Sequence, residues 1–289
     1  MSGRLVAGAV GAGACALARR MLDGAVAAGD ARWTRVNHRG EPISLLEGPA
    51  VAAGLATAAL ACGGRAGAAG TVAVLGGATF GLVDDLSEDT SRTRKGLRGH
   101  LGALARGEVT TGGLKVLGIG ATSLVAAAIA FGRADPDPGA ARPGTGTAGA
   151  LGRIADVAVG GALIAGAANL VNLLDLRPGR ALKAATVAAL PLVGHRTAGP
   201  LATGAIGAGL VALPGDLGER DMLGDSGANA LGALVGTAAA IAAPRPVRAA
   251  LLAGVVALTV ASERISFTEV IARTPVLRAV DEWGRSVRP

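Results

Sequence analysis

Aromatic residues are nearly missing from this chain: two Trp, three Phe and no Tyr in 289 residues. A soluble core of this size would have to be built from Ala, Val, Leu and Gly alone. The aromatic faces on which nucleic-acid bases stack are missing too. Charge is scarce, at 17% of residues, against about 25% in ordinary soluble domains. The two cysteines, Cys15 and Cys62, both fall in apolar runs, which argues against a disulfide framework or a cysteine zinc site. What is abundant is 51% hydrophobic residues and 47 glycines, with a mean hydropathy of +0.48. Small residues of this kind let membrane helices approach closely. The composition identifies an integral membrane protein, a polytopic all-α transmembrane helix bundle in contact with membrane lipid.

Apolar runs long enough for a span of about 17–25 residues fall at 3–20, 45–63, 69–85, 111–132, 151–173, 181–195, 198–214, 226–243 and 247–263. That predicts nine to ten spans, with eight the lower alternative and the pair around His195 the weakest. Arg19-Arg20 follows the first run where a signal peptide would carry a small-residue cleavage site, so this run reads as a span. Residues 1–263 form a single bundle and 264–289 an amphipathic tail. The net charge of +7 sits mostly in the loops 19–44, 86–110, 174–183, 215–225 and 264–289. These belong to one side, which the positive-inside rule makes cytoplasmic, leaving the N-terminus outside. A chain whose Lys and Arg lie in short loops between apolar runs has no nucleic-acid partner.

Three polar constellations land on that side. In "FGLVDDLSEDTSRTRKGLRGH" the third span ends in Asp84 and Asp85, followed by Arg94, Lys95, Arg98 and His100. Adjacent carboxylates repel unless a proton or cation compensates. In "AANLVNLLDLRPGR" the residues Asn169, Asn172 and Asp175 recur every third position, one polar stripe on a helix. In "RDMLGDSGANALG" Asp225 opens an apolar helix, whose free N–H groups suit either an N-cap or an anion. Carboxylates and bases gathered at one membrane face are what a metal-dependent phosphoryl transfer to a lipid phosphate requires.

These residues resemble the polyprenyl-phosphate N-acetylhexosamine-1-phosphate transferases, which include the phospho-N-acetylmuramoyl-pentapeptide transferase and the undecaprenyl-phosphate N-acetylglucosamine-1-phosphate transferases. Asp84-Asp85 matches the family's aspartate pair, Lys95-Gly96-Leu97 its Lys-Gly-Leu, and Asn169, Asn172 and Asp175 its Asn-x-x-Asn-x-x-Asp stripe. Gly224-Asp225-Ser226-Gly227 matches its Gly-Asp-(Ser/Thr)-Gly element. The resemblance implies about ten spans with a cytoplasmic active site, and transfer of a sugar-1-phosphate from a UDP-N-acetylhexosamine to polyprenyl phosphate with release of UMP. It implies Mg²⁺, or Mn²⁺ in its place, held by Asp225 and Asp175. Asp84 and Asp85 would position or deprotonate the acceptor, and Arg94, Lys95, Arg98 and His100 would bind substrate together with Asn169 and Asn172.

The sequence also departs from that pattern. Pro178 stands where the family carries a further Asp, Gly215-Asp216 lies where an Asn is usual, and the late histidine cluster is absent, the three histidines being His38, His100 and His195. These departures support an alternative: a non-catalytic derivative of the family that binds polyprenyl phosphate or a partner protein. A secondary transporter would carry its acids near the bilayer midplane, whereas here they cluster at span ends. Spans rich in small residues also permit a homodimer.

Overall fold

A computed structural model describes residues 2–27, 29–37, 39–87, 111–132 and 147–285. The chain is an all-α bundle whose helices are α1 Ser2–Ala25, α2 Glu47–Cys62, α3 Gly64–Ser87, α4 Thr111–Phe131, α5 Thr147–Leu174, α6 Arg180–Ala189, α7 Gly199–Leu217, α8 Gly224–Ala242 and α9 Arg245–Ser262. The short helices α10 Phe267–Arg273 and α11 Pro275–Glu282 follow. Six of these, α1, α3, α4, α5, α7 and α9, are long and apolar enough to cross a membrane. The remaining expected spans correspond to α2, a 16-residue apolar helix, to α6, and to α8. With ten residues, α6 rises only about 15 Å and does not cross a core about 30 Å thick. A 3₁₀ turn, Leu190–Leu192, continues it.

Punctuation in the sequence sets the boundaries. Pro246 lies in the first turn of α9 and Pro275 opens α11, where a missing N–H costs nothing. Ser266 caps α10 by accepting the N–H of Glu269 at 3.4 Å, the Ser-x-x-Glu pattern of a capping box. One element departs from the all-α expectation. Strands β1 Thr34–Val36 and β2 Pro42–Ser44 pair antiparallel, and Ser44 continues into a parallel bridge with Asp221.

The centre of the bundle is α8, in which nearly every side chain is buried. On one side α1, α2, α6 and α7 close a core around Leu55, Leu182, Leu201 and Leu231. On the other, α3, α4 and α5 close a second core around Ala73, Ile119 and Ile164, with α9 packed outside α5. So few large side chains allow close approach. A Cβ on Gly77 would come within 2.8 Å of the Asn229 backbone, and one on Gly81 would strike the Asp225 carbonyl. This contact brings the end of α3 onto the start of α8.

Candidate active site

The end of α3 carries Asp84 and Asp85, the start of α4 carries Lys115, and the start of α8 carries Asp225. The structure brings these together from three helices. Lys115 Nζ lies 2.8 Å from Asp84 Oδ2 and 2.5 Å from Asp225 Oδ2, a single ammonium between two carboxylates. Asp84 also takes the Thr111 hydroxyl. In this trio Lys115 has 16% of its side chain exposed, Asp84 20% and Asp225 26%.

Asp85 has a different task. Its carboxylate accepts the backbone N–H of Asp225 at 3.0 Å and of Ser226 at 2.9 Å. The residue preceding α8, Leu223, offers no side-chain cap, so Asp85 supplies one from another helix. A carboxylate is well placed there, where unpaired N–H groups concentrate positive potential. The two adjacent acids therefore divide their work: Asp84 meets a cation, while Asp85 ties α3 to α8. Arg35 reaches in from β1 to donate to the Asp85 main-chain carbonyl. Gly224 is indispensable to this arrangement. Its φ is +57°, and a Cβ there would sit 3.1 Å from both Asp85 carboxylate oxygens.

The polar stripe approaches from α5. Asn169 and Asn172 are half-buried and make no side-chain hydrogen bond among the described residues. Asp175, just past the end of α5, has the Gly224 N–H turned to it. Burial, then the charges of Asp216, Asp225 and Asp85, hold its carboxyl well above the usual carboxylate range. Asp175 thus joins the Asp84–Asp225 group to a second acidic group containing Asp216 and Glu47. Arg94, Lys95, Arg98 and His100 lie outside the described residues.

The C-terminal segment folds back beside this site. Arg180, at the start of α6, donates from Nε and Nη2 to the two oxygens of Asp281 at 2.7 and 3.1 Å, and from Nη1 to Thr268 at 3.0 Å. Lys183 Nζ donates to the carbonyls of Val280, Asp281 and Trp283 at 3.1, 2.8 and 2.6 Å. Arg285 pairs with Asp281 at 2.7 Å and donates to the Pro178 carbonyl at 3.0 Å. Burial pushes the Asp281 carboxyl up, but Arg180 and Arg285 outweigh it and hold the group below its ordinary value. The opposite face of α11, with Val276, Val280 and Trp283, is exposed and apolar. Arg180 and Lys183, two bases beside the stripe in sequence, are turned to the tail.

The donor chemistry fits a hard divalent cation in one particular way. Among the described residues no three His, Cys, Asp or Glu side chains gather closely enough to hold a metal by themselves. Mg²⁺ commonly takes only one or two carboxylates and completes its shell with water and phosphate oxygens. Asp84 and Asp225 already share one positive charge, and all the donors here are oxygen.

Lys115 is not among the candidates that the sequence offered, and the structure adds it to the site. A lone Lys in an otherwise apolar run was the available signal, since ionisable residues inside spans are expensive. Glu47, in the run 45–63, carried the same signal. Compared with known proteins, the chain is matched by no family model, no curated protein and no solved structure.

Proposed function

We propose that this end of the bundle transfers a HexNAc-1-phosphate from a UDP-N-acetylhexosamine to polyprenyl phosphate, releasing UMP, in cell-envelope glycan synthesis. The observation that carries the reading is the Asp84–Lys115–Asp225 bridge. Asp84 lies 141 positions before Asp225 in the chain, yet both meet one cation at the end of the bundle. A purely structural pair would not need two carboxylates facing each other there.

In this reading a phosphate oxygen of the acceptor attacks the sugar-side phosphorus of the donor diphosphate. The bond from that phosphorus to the bridging oxygen breaks, and UMP leaves with the electron pair. Asp84 and Asp225, with Asp175 beside them, would hold Mg²⁺, which supplies charge neutralisation at the phosphate oxygens. Lys115 is placed to pass from the carboxylates to a phosphate oxygen, since its three N–H donors sit on a flexible stem. Asp85 keeps α3 and α8 in register, so that Asp84 and Asp225 face the same point. Asn169 and Asn172 present uncommitted amides to the donor. The lipid tail of the acceptor would run along the apolar helices, with this end of the bundle in the cytoplasm of a bacterial-type plasma membrane and the N-terminus outside.

The test is UMP release by the purified chain, given polyprenyl phosphate, Mg²⁺ and a panel of UDP-sugars. Turnover by the wild type that Asp225→Asn and Asp84→Asn abolish is the expected result. Folded protein that releases no UMP from any donor would remove the enzymatic reading and leave a lipid-binding one.

A further inference from the structure

A cavity of about 420 Å³ opens between α1, α2 and α7. Its lining includes Cys15, Arg19, Glu47, Gly215, Arg220 and Asp221. Glu47 is 3% exposed, and neither of its carboxylate oxygens has a hydrogen-bond partner among the described residues. Leaving a buried carboxylate unsatisfied costs at least the desolvation penalty of a polar group, more when it is charged. Arg19 attracts Glu47 electrostatically but donates no hydrogen bond to it among the described residues. Arg19 is committed to Asp221 at 2.6 Å and to Asp23 at 2.9 Å, and Arg220 reaches toward the Pro214 carbonyl at 3.4 Å. Two further acids, Asp216 and Asp221, lie within electrostatic range of Glu47, each under 9% exposed, and Asp216 Oδ2 is also without a hydrogen-bond partner among the described residues.

The carboxylates converge on a gap that only glycine leaves open. A Cβ on Gly215 would lie 2.6 Å from Asp221 Oδ2 and 3.3 Å from Glu47 Oε2. Oxygens of two acids thus face one small space, with a third acid behind them. A neutral hydroxyl or amide ligand could satisfy hydrogen bonds there but would leave the negative charge uncompensated. Two carboxylates with room for retained water match the habits of a hard divalent cation, and the cavity exceeds the space a bare ion needs.

We propose that this cavity is a binding site for a hydrated divalent cation, held by Glu47 and Asp221, with Asp216 adding negative charge. It is separate from the Asp84–Asp225 pair and does not depend on the transferase reading. Arg19 stands at its edge as a fixed positive charge, so the site discriminates by geometry as well as by charge.

The probe is Mn²⁺, titrated into the purified full chain in detergent and followed by the loss of its free EPR signal. The Asp225→Asn variant removes one carboxylate of the first site and isolates the second. In that background one Mn²⁺ per chain is expected, and adding Glu47→Gln is expected to weaken it at least tenfold. Gly215→Ala keeps every carboxylate and fills the gap, so it should weaken Mn²⁺ similarly. This second variant keeps the test intact should Glu47→Gln fold poorly, with helical content checked by circular dichroism. Mn²⁺ affinity unchanged by both substitutions, or no Mn²⁺ bound by the folded Asp225→Asn chain, would overturn the proposal and assign Glu47 a proton instead.

Discussion

Replacing Lys115 by Met removes one charge from between two. Its ammonium lies 2.5 Å from Asp225 and 2.8 Å from Asp84, so it holds the two carboxylates close together. Two like charges about 4 Å apart repel by about 4 kcal/mol at an effective dielectric constant near 20. Removing one partner of a buried ion pair costs about 3–5 kcal/mol. Because both carboxylates retain partial exposure, the lower end applies, and Lys115→Met should lose about 3 kcal/mol. The assay is equilibrium unfolding in mixed detergent, with and without Mg²⁺. A divalent ion that takes the vacated position should restore much of the loss, since a ligand at about 100 times its Kd contributes about 2.7 kcal/mol. Adding Asp225→Asn to Lys115→Met should also recover stability, because it removes the repulsion that the first substitution exposes. Strictly additive losses in the double variant, or a Lys115→Met chain as stable as wild type without Mg²⁺, would refute the bridging role.

Gly224→Ala must place a Cβ at a φ of +57° and against both Asp85 oxygens. It should cost about 1–2 kcal/mol from the backbone alone, more with the lost cap, read by the same unfolding assay. Asn169→Leu and Asn172→Leu should change stability by no more than about 0.5 kcal/mol, because neither amide is hydrogen-bonded in the described structure, while raising KM for the donor in the UMP assay. Asp281→Asn should free the tail, raising trypsin cleavage at Arg264 and Arg273 roughly tenfold or more, the equivalent of about 1.4 kcal/mol. The pH dependence of that docking follows from a folded Asp281 carboxyl held below its ordinary value. Its contribution is complete above the unfolded pKa of about 3.9 and is lost as pH falls through the folded value, so acid should release the tail of wild type, and the Asn variant should show no such step.

The bundle was legible because membrane spans write themselves in composition: six of the nine expected spans are helices long and apolar enough to cross a membrane, while the other three fall on α2, α6 and α8, which do not meet that measure. The site was legible in part. Asp84, Asp85, Asp175 and Asp225 stood out because carboxylates at the ends of apolar runs need partners, and the structure gathers them. What the pattern could not assign was the division between Asp84 and Asp85. Adjacent residues on a helix differ by about 100° in direction, and only the position of α8 decides which one meets the cation and which one caps. The hairpin was missed because two three-residue strands are too short for any period to register, and the bridge from Ser44 goes to Asp221, far along the chain. In the sequence Arg180 and Lys183 stand only as positive charges beside the polar stripe. Their actual partners lie about 100 positions later in the chain, a distance that no local pattern spans.

The charge arrangement constrains the order in which anionic ligands could enter. Asp84, Asp85, Asp175 and Asp225 run on through Asp216 to Glu47 and Asp221 as one acidic belt, each member within electrostatic range of the next. Against it stand the ion pairs of Lys115 and Arg19, while Arg180 and Lys183 are held by the tail. A diphosphate brought to this belt alone would meet repulsion at low dielectric, where it is least screened. A cation settled between the carboxylates inverts the local field and turns the same acids into a means of presenting positive charge to phosphate. On the proposed transferase function, the divalent ion would therefore bind before or together with the donor.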